Sequence, residues 1–276
     1  MTPLRIALAD DSLLPGEAYL AETPILHGHV GTQPDLFLRW NAIPLAAESI
    51  DIVVHLHGFS QQGGAMPLSE KVPRSGLDLS GRSRPTLALL PRGNWIRHYH
   101  YDFPALLSGG IDALIAYAAE QFARAMPSGG GLDIDRVVLS AHSGGVMPAI
   151  DVVAGAARPP DELYLFDGLY GRDPRLGDPM QGHGVIDGWL GERLAHEPRR
   201  PGALRVVYIE RQTGPFSREV ASLIAEHLAA ADAALAPDLA RRYRVERSSV
   251  PHGYIAWRCL PDLLADPAAE FDWLRV

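Results

Sequence analysis

Short apolar runs, each long enough for one strand, alternate along most of this chain with longer stretches of helical periodicity. That alternation constrains the fold to the α/β class, with a mostly parallel central sheet flanked by helices on both faces. Ile50–His57 reads as a buried strand ending at Gly58, and Thr86–Leu90 as another stopped by Pro91. Asp135–Ser140, Glu162–Phe166, Leu204–Ile209 and Tyr243–Arg247 continue the series. Helical patterns cover Ile111–Ala125, a segment starting near Gly144, Ser217–Leu235 and Ile255–Leu264. Ahead of them, Ile25–Val30 and Leu36–Trp40 read as an antiparallel pair joined by a Gly-Thr-Gln-Pro-Asp turn. The interval 171–201 fits the rhythm poorly. It reads as a small cap over a cleft, with an ordinary long connection as the alternative; long loops in compact domains usually serve function.

The 276 residues suit one domain spanning 1–276. Apolar residues make up 47% and charged residues 21%, ordinary globular usage. No apolar run approaches the roughly 18 residues of a membrane span, so no membrane partner is expected. A net charge of -8 makes a phosphate backbone an unfavourable partner, and no nucleic acid is expected. Of 25 basic residues only Lys71 is a lysine; scattered arginines read as a compositional bias. The single cysteine, Cys259, excludes an intrachain disulfide and a CxxC metal clip. Met1–Asp11 has no long apolar core, and a cytoplasmic location is the expectation.

The sharpest chemical feature is Leu139-Ser-Ala-His-Ser-Gly-Gly145, between a strand and a helix. A serine on a strand-to-helix turn of strained backbone is held proud of the sheet, provided that its neighbours two before and two after are tiny. Here these are Ala141, where glycine is usual, and Gly145. The Gly144 N–H then lies at a helix N-terminus, where an anion is favoured. A turn in which Ser143 is merely a cap is the competing reading. A second feature is His55-Leu-His57-Gly58-Phe59 at the end of an earlier strand. His55 reads as a satisfied strand residue and His57 as a brace for the loop after it. A metal held by these two with His27, His29 or His183 matches no ligand spacing, and neither a metal nor a cofactor is expected.

With these two motifs the chain resembles an α/β-hydrolase, from about residue 25 onward. The resemblance implies Ser143 as nucleophile and an oxyanion hole made of the Phe59 and Gly144 N–H groups. It places the base on the loop after the last strand, which is Pro251-His252-Gly253, and an imidazole titrates in the range that general base work needs. The acid must end a strand between the two. Asp167 and Glu210 both do; Asp167-Gly168 is preferred, because it projects from the strand end with room to turn. Trp95, Tyr99, Tyr101, Tyr170 and Trp189 read as cleft aromatics or as ordinary packing, and Arg92-Gly-Asn-Trp95 as facing the same cleft. The expected function is a serine hydrolase cleaving a small-molecule carboxylic ester through an acyl-enzyme. A peptidase or amidase on the same triad, or a non-catalytic binding protein on a hydrolase scaffold, are the alternatives.

Overall fold

The computed structural model describes residues 4–271 except 5, 10, 60–63, 98–99, 127–130, 171–179, 198, 210 and 232–234, together with the backbone alone at 97, 100 and 180–183. Eight strands form the central sheet: β1 (Gly16–Leu20), β2 (Leu36–Trp40), β3 (Ser49–Leu56), β4 (Thr86–Pro91), β5 (Asp133–His142), β6 (Glu162–Phe166), β7 (Ala203–Tyr208) and β8 (Tyr243–Arg247). Their spatial order is β1-β2-β4-β3-β5-β6-β7-β8. β2 runs antiparallel to both its neighbours, and every pair from β4 to β8 is parallel.

The parallel strands are buried on both faces, which is why they read as continuous apolar runs. Leu87 and Leu89, Leu139 and Ala141, Leu163 and Leu165, and Leu204 and Val206 point to one face. That face is covered by α2 (Gly110–Ala125), α3 (Val146–Gly155), α4 (Met180–Ala195) and α5 (Gly214–Ala229). The alternate residues Ala88, Leu90, Val138, Tyr164, Phe166 and Val207 meet α1 (Leu68–Ser75) and α7 (Ile255–Ala265) on the other. In α7 the apolar residues Ile255, Ala256, Cys259, Leu260, Leu263 and Leu264 recur at helical spacing and are all buried. Burial pushes the Cys259 thiol pKa well up, as befits a packed thiol.

Several expectations need correction. Ile25–Val30 is not a strand: Pro24–Leu26 forms a single 3-10 turn whose first residue is proline, and the antiparallel partner of β2 is Gly16–Leu20. The helix expected over 217–235 starts earlier, with Pro215 in its first turn, and ends at Ala229. A separate helix, α6 (Ala236–Arg242), precedes β8. The cap expected over 171–201 lies partly outside the described residues, at 171–179 and 198; the rest is mainly α4, the crossover between β6 and β7, packed between α3 and α5. Its Trp189 is buried and donates its indole N–H to the Pro160 carbonyl at 2.9 Å, at the N-terminal end of β6 and so opposite the edge where Ser143 lies. Trp189 is therefore core and not a wall of the cleft.

Arg205 on β7 is fully buried. It pairs with Glu246 on β8, donates to the carbonyls of Pro267 (2.8 Å) and Ala269 (2.9 Å), and lies 5.4 Å from the centre of the Phe271 ring. One guanidinium thus ties two strands to the chain beyond α7. Truncating it removes the buried partner of Glu246, which among the described residues keeps only Arg244 at 3.3 Å, and leaves two carbonyls without their donor, which costs about 3–5 kcal/mol. Arg205→Ala should lower the unfolding free energy by that amount, read from the denaturant midpoint.

Candidate active site

The site forms where β3, β5 and β6 end side by side at the carboxyl edge of the sheet. Ser143 follows β5 directly at φ +54, a left-handed conformation that serine seldom adopts. A 3-10 turn, Ser143–Gly145, then leads into α3. The turn is possible because its neighbours lack bulk. A Cβ at Gly145 would stand 2.4 Å from the Leu56 carbonyl oxygen, and one at Gly168 would stand 2.2 Å from that of Ser143. Ala141 lies inside the sheet opposite Leu56 and Leu165, where its methyl is accommodated without opening the turn.

Ser143 Oγ lies 2.8 Å from His252 Nε2, and His252 Nδ1 lies 2.7 Å from Asp167 Oδ2. Asp167 is at φ +44 just past β6, and His252 opens a 3-10 turn between β8 and α7. The carboxylate fixes the tautomer: an ionised Asp167 only accepts, so His252 Nδ1–H donates to it, and Nε2 accepts from the Ser143 hydroxyl. Asp167 Oδ1 accepts two further bonds, from the Ile209 N–H at 2.9 Å and from Thr213 Oγ1 at 2.5 Å. Burial alone would raise its pKa, but the bonds from His252, Ile209 and Thr213 outweigh that and hold it below the usual value. The carboxylate thus stays charged behind the imidazole. Such a row can accept the serine proton as Oγ attacks an electrophile, stabilise the imidazolium, and return the proton to a departing group.

Two residues join the site that the motifs did not single out for it. His142 Nε2–H donates to the His252 carbonyl at 2.8 Å, so the residue before Ser143 holds the backbone of the loop that carries the imidazole. Burial, then the neighbouring His252, lowers the His142 pKa to about 4 and keeps it neutral. Lys71, on α1, is buried beneath the strand end of β3. Its Nζ donates to the carbonyls of Gly58 (2.9 Å) and Phe59 (2.8 Å). Tyr170, expected only as a cleft aromatic, stands with its hydroxyl 3.0 Å from Ser143 Oγ and 3.5 Å from His252 Nε2. Burial raises the Tyr170 pKa, so the phenol stays protonated.

His55 is satisfied inside the sheet by Ser140 Oγ at 2.8 Å, and burial pushes its pKa down to about 3. His57 braces the loop: Nδ1–H donates to the Gly58 carbonyl at 2.9 Å, and Nε2 accepts from the Gly93 N–H at 3.1 Å. Gly144 lies against the Phe59 ring, where a Cβ would stand 1.9 Å from it. Its N–H lies in the first turn leading into α3, where backbone donors have no intrahelical acceptor. Arg92 does not face the cleft, because it is buried against Asp35 at 2.8 Å. Trp95 and Tyr101 pair across a two-stranded ribbon, with Tyr101 edge-on to His57. Glu210, His98 and Tyr99 lie outside the described residues, as do the side chains of His100 and His183. Among the described residues no group of three or more His, Cys, Asp or Glu is placed to hold a metal ion. None of the described helices is long and apolar enough to cross a membrane.

The tightness of the turn is directly testable. In Gly145→Ala the new methyl meets backbone oxygens of Leu56 and His57 that have no free side chain to yield. The variant should lose about 1–3 kcal/mol of stability, measured by urea denaturation.

No family model matches the sequence, and no curated protein matches it. Solved structures do match. FphF, a fluorophosphonate-binding serine hydrolase of Staphylococcus aureus, is 10% identical, with 93% of this chain and 100% of that one covered at a TM-score of 0.54. The siderophore hydrolase EstA from Aspergillus nidulans is 14% identical over 97% of each chain, at a TM-score of 0.49. An S-formylglutathione hydrolase from Agrobacterium tumefaciens is 12% identical over 97% of this chain and 99% of that one, at 0.47. At 10% identity the likeness to FphF is one of fold, and it agrees with the strand order and helix layers described above. The chain has the α/β-hydrolase fold.

Proposed function

We propose that this protein is a serine hydrolase that cleaves a carboxylic ester of a small molecule through an acyl-enzyme. The observation that carries the reading is the continuous hydrogen-bonded row from Ser143 through His252 to Asp167. Its three members come from positions 85 and 109 residues apart. A structural role for any one of them does not require the other two in line. The left-handed backbone at Ser143 adds to this, because strain at a polar residue is characteristic of functional sites.

In the reaction, Ser143 Oγ attacks the ester carbonyl carbon as His252 Nε2 takes its proton. Asp167 holds the Nδ1–H tautomer and balances the imidazolium charge. The N–H groups of Phe59 and Gly144 stabilise the oxyanion. His252 then protonates the leaving alkoxide, and the same steps with water in place of the alcohol release the acid and free Ser143. Tyr170, which hydrogen-bonds Ser143 Oγ before the substrate arrives, becomes a donor available to the leaving oxygen once Oγ has bonded to the carbonyl carbon. An ester is the substrate class to which we commit, because its alkoxide needs less assistance to leave than an amine does.

Ser143→Ala should lower kcat/KM on a p-nitrophenyl ester by on the order of 10⁴-fold or more. A fluorophosphonate probe should label Ser143 in the wild-type protein and nothing in the variant. Unlabelled protein that still turns over the ester excludes the serine mechanism, and faster cleavage of the matching anilide assigns an amidase. Asp167→Asn should collapse turnover while Glu210→Gln leaves most of it; the reverse result makes Glu210 the acid.

A further inference from the structure

Lys71 is the only lysine in a chain with 25 basic residues, and it is spent in the interior. Burying an ammonium is costly unless its donors are paired. Its described donors go to two consecutive main-chain carbonyls, Gly58 at 2.9 Å and Phe59 at 2.8 Å. The ammonium also lies 4.7 Å from the centre of the Tyr101 ring, a cation–π distance. Tyr101 is fixed in turn, accepting the Met66 N–H at 2.7 Å. A lysine held in this way has been given a task in the loop after β3.

The task follows from peptide geometry. The Gly58 carbonyl and the Phe59 N–H belong to one planar trans unit, so they point in opposite directions. The carbonyl is held on one side by two donors, Lys71 Nζ and His57 Nδ1–H. That fixes the direction of the Phe59 N–H on the other side. The unit sits against the nucleophile turn, since a Cβ at Gly58 would stand 2.7 Å from Ser143 Cβ. Charge-assisted donation to the carbonyl also polarises the amide and makes its N–H a stronger donor.

We infer that Lys71 is a positioning residue for the oxyanion hole, aiming and polarising the Phe59 N–H through the carbonyl of Gly58. The inference rests on the hydrolase reading for its catalytic consequence, and on the hydrogen bonds alone for its structural part. Burial, and then Arg74, bring the Lys71 pKa down to about 7 from the ordinary 10.5, while Glu70 opposes them. The other titratable groups facing it are His57 and Tyr101, with His142 further along the site. Burial, then Lys71, holds the His57 pKa well below its usual range, and burial raises that of Tyr101, so neither changes charge near neutrality.

Selective ¹⁵N-phenylalanine labelling gives seven amide signals, and that of Phe59 is assigned as the one lost in Phe59→Leu. In the wild-type protein it should shift with pH about a midpoint near 7. The step should be absent in Lys71→Met, and also in Lys71→Arg, whose guanidinium stays charged. In the same proteins Lys71→Met should lower kcat on the p-nitrophenyl ester about 10- to 100-fold with KM within about twofold, since an oxyanion donor acts mainly in the transition state. A Phe59 signal that Lys71→Met leaves at its wild-type position, or a step that persists in both variants, overturns the anchoring. An unchanged kcat in Lys71→Met overturns the catalytic consequence. A wild-type protein that fluorophosphonate does not label and that leaves the ester intact removes the hydrolase reading and the catalytic consequence with it, while the Phe59 signal still decides the anchoring.

Discussion

The architecture of the site depends on how closely three strand ends approach one another. β3, β5 and β6 finish at the same edge, and the chain leaves each through a turn that contains a glycine. Gly145 passes the Leu56 carbonyl and Gly168 passes that of Ser143, both at distances no side chain could share. This crowding forces Ser143 and Asp167 into left-handed backbone conformations. Non-glycine residues there cost on the order of 1–2 kcal/mol each, a sum that two well-packed sheet faces can bear. The core therefore does more than stabilise the fold. It supplies the rigid frame in which strained turns persist.

A second level of organisation is built from main-chain carbonyls. His142 holds that of His252, His57 and Lys71 hold that of Gly58, and Lys71 also holds that of Phe59. The loop that carries His252 and the proposed Phe59 N–H donor are thus supported through backbone by buried side chains behind them. Asp167 is supported directly, its carboxylate accepting from the Ile209 N–H and the Thr213 hydroxyl of the loop after β7. Through Thr213, the start of α5 bears on the orientation of the imidazole, although no residue of α5 stands in the row itself.

The alternation of strand and helix patterns was readable because parallel strands buried on both faces produce unbroken apolar runs. Glu162–Phe166 and Tyr243–Arg247 have the same bounds in the sequence pattern and in the structure. Ser143, Asp167 and His252, which the structure brings into one row, each lie beside a glycine after a strand, but the strand-end rule also offers Glu210 as the acid and does not by itself separate the two. What stayed hidden has physical causes. α1 is short and contains Pro73, so its periodicity is weak. β1 is an outer strand that leaves Tyr19 exposed, and it lacks a continuous apolar run. His142 and Lys71 act through hydrogen bonds to carbonyls of residues far away in sequence, which no spacing encodes. The one available signal for Lys71 was its solitude among arginines, and that feature reads equally well as composition.

The left-handed turn at Ser143 also limits which residues could ever take over its position. A β-branched side chain at positive φ collides with its own backbone, so threonine would have to unwind the turn before it could present a hydroxyl. Cysteine has the same unbranched shape as serine and fits the bend as it stands. The scaffold is therefore open to a thiol in place of the alcohol and closed to the secondary alcohol that differs from serine by a single methyl.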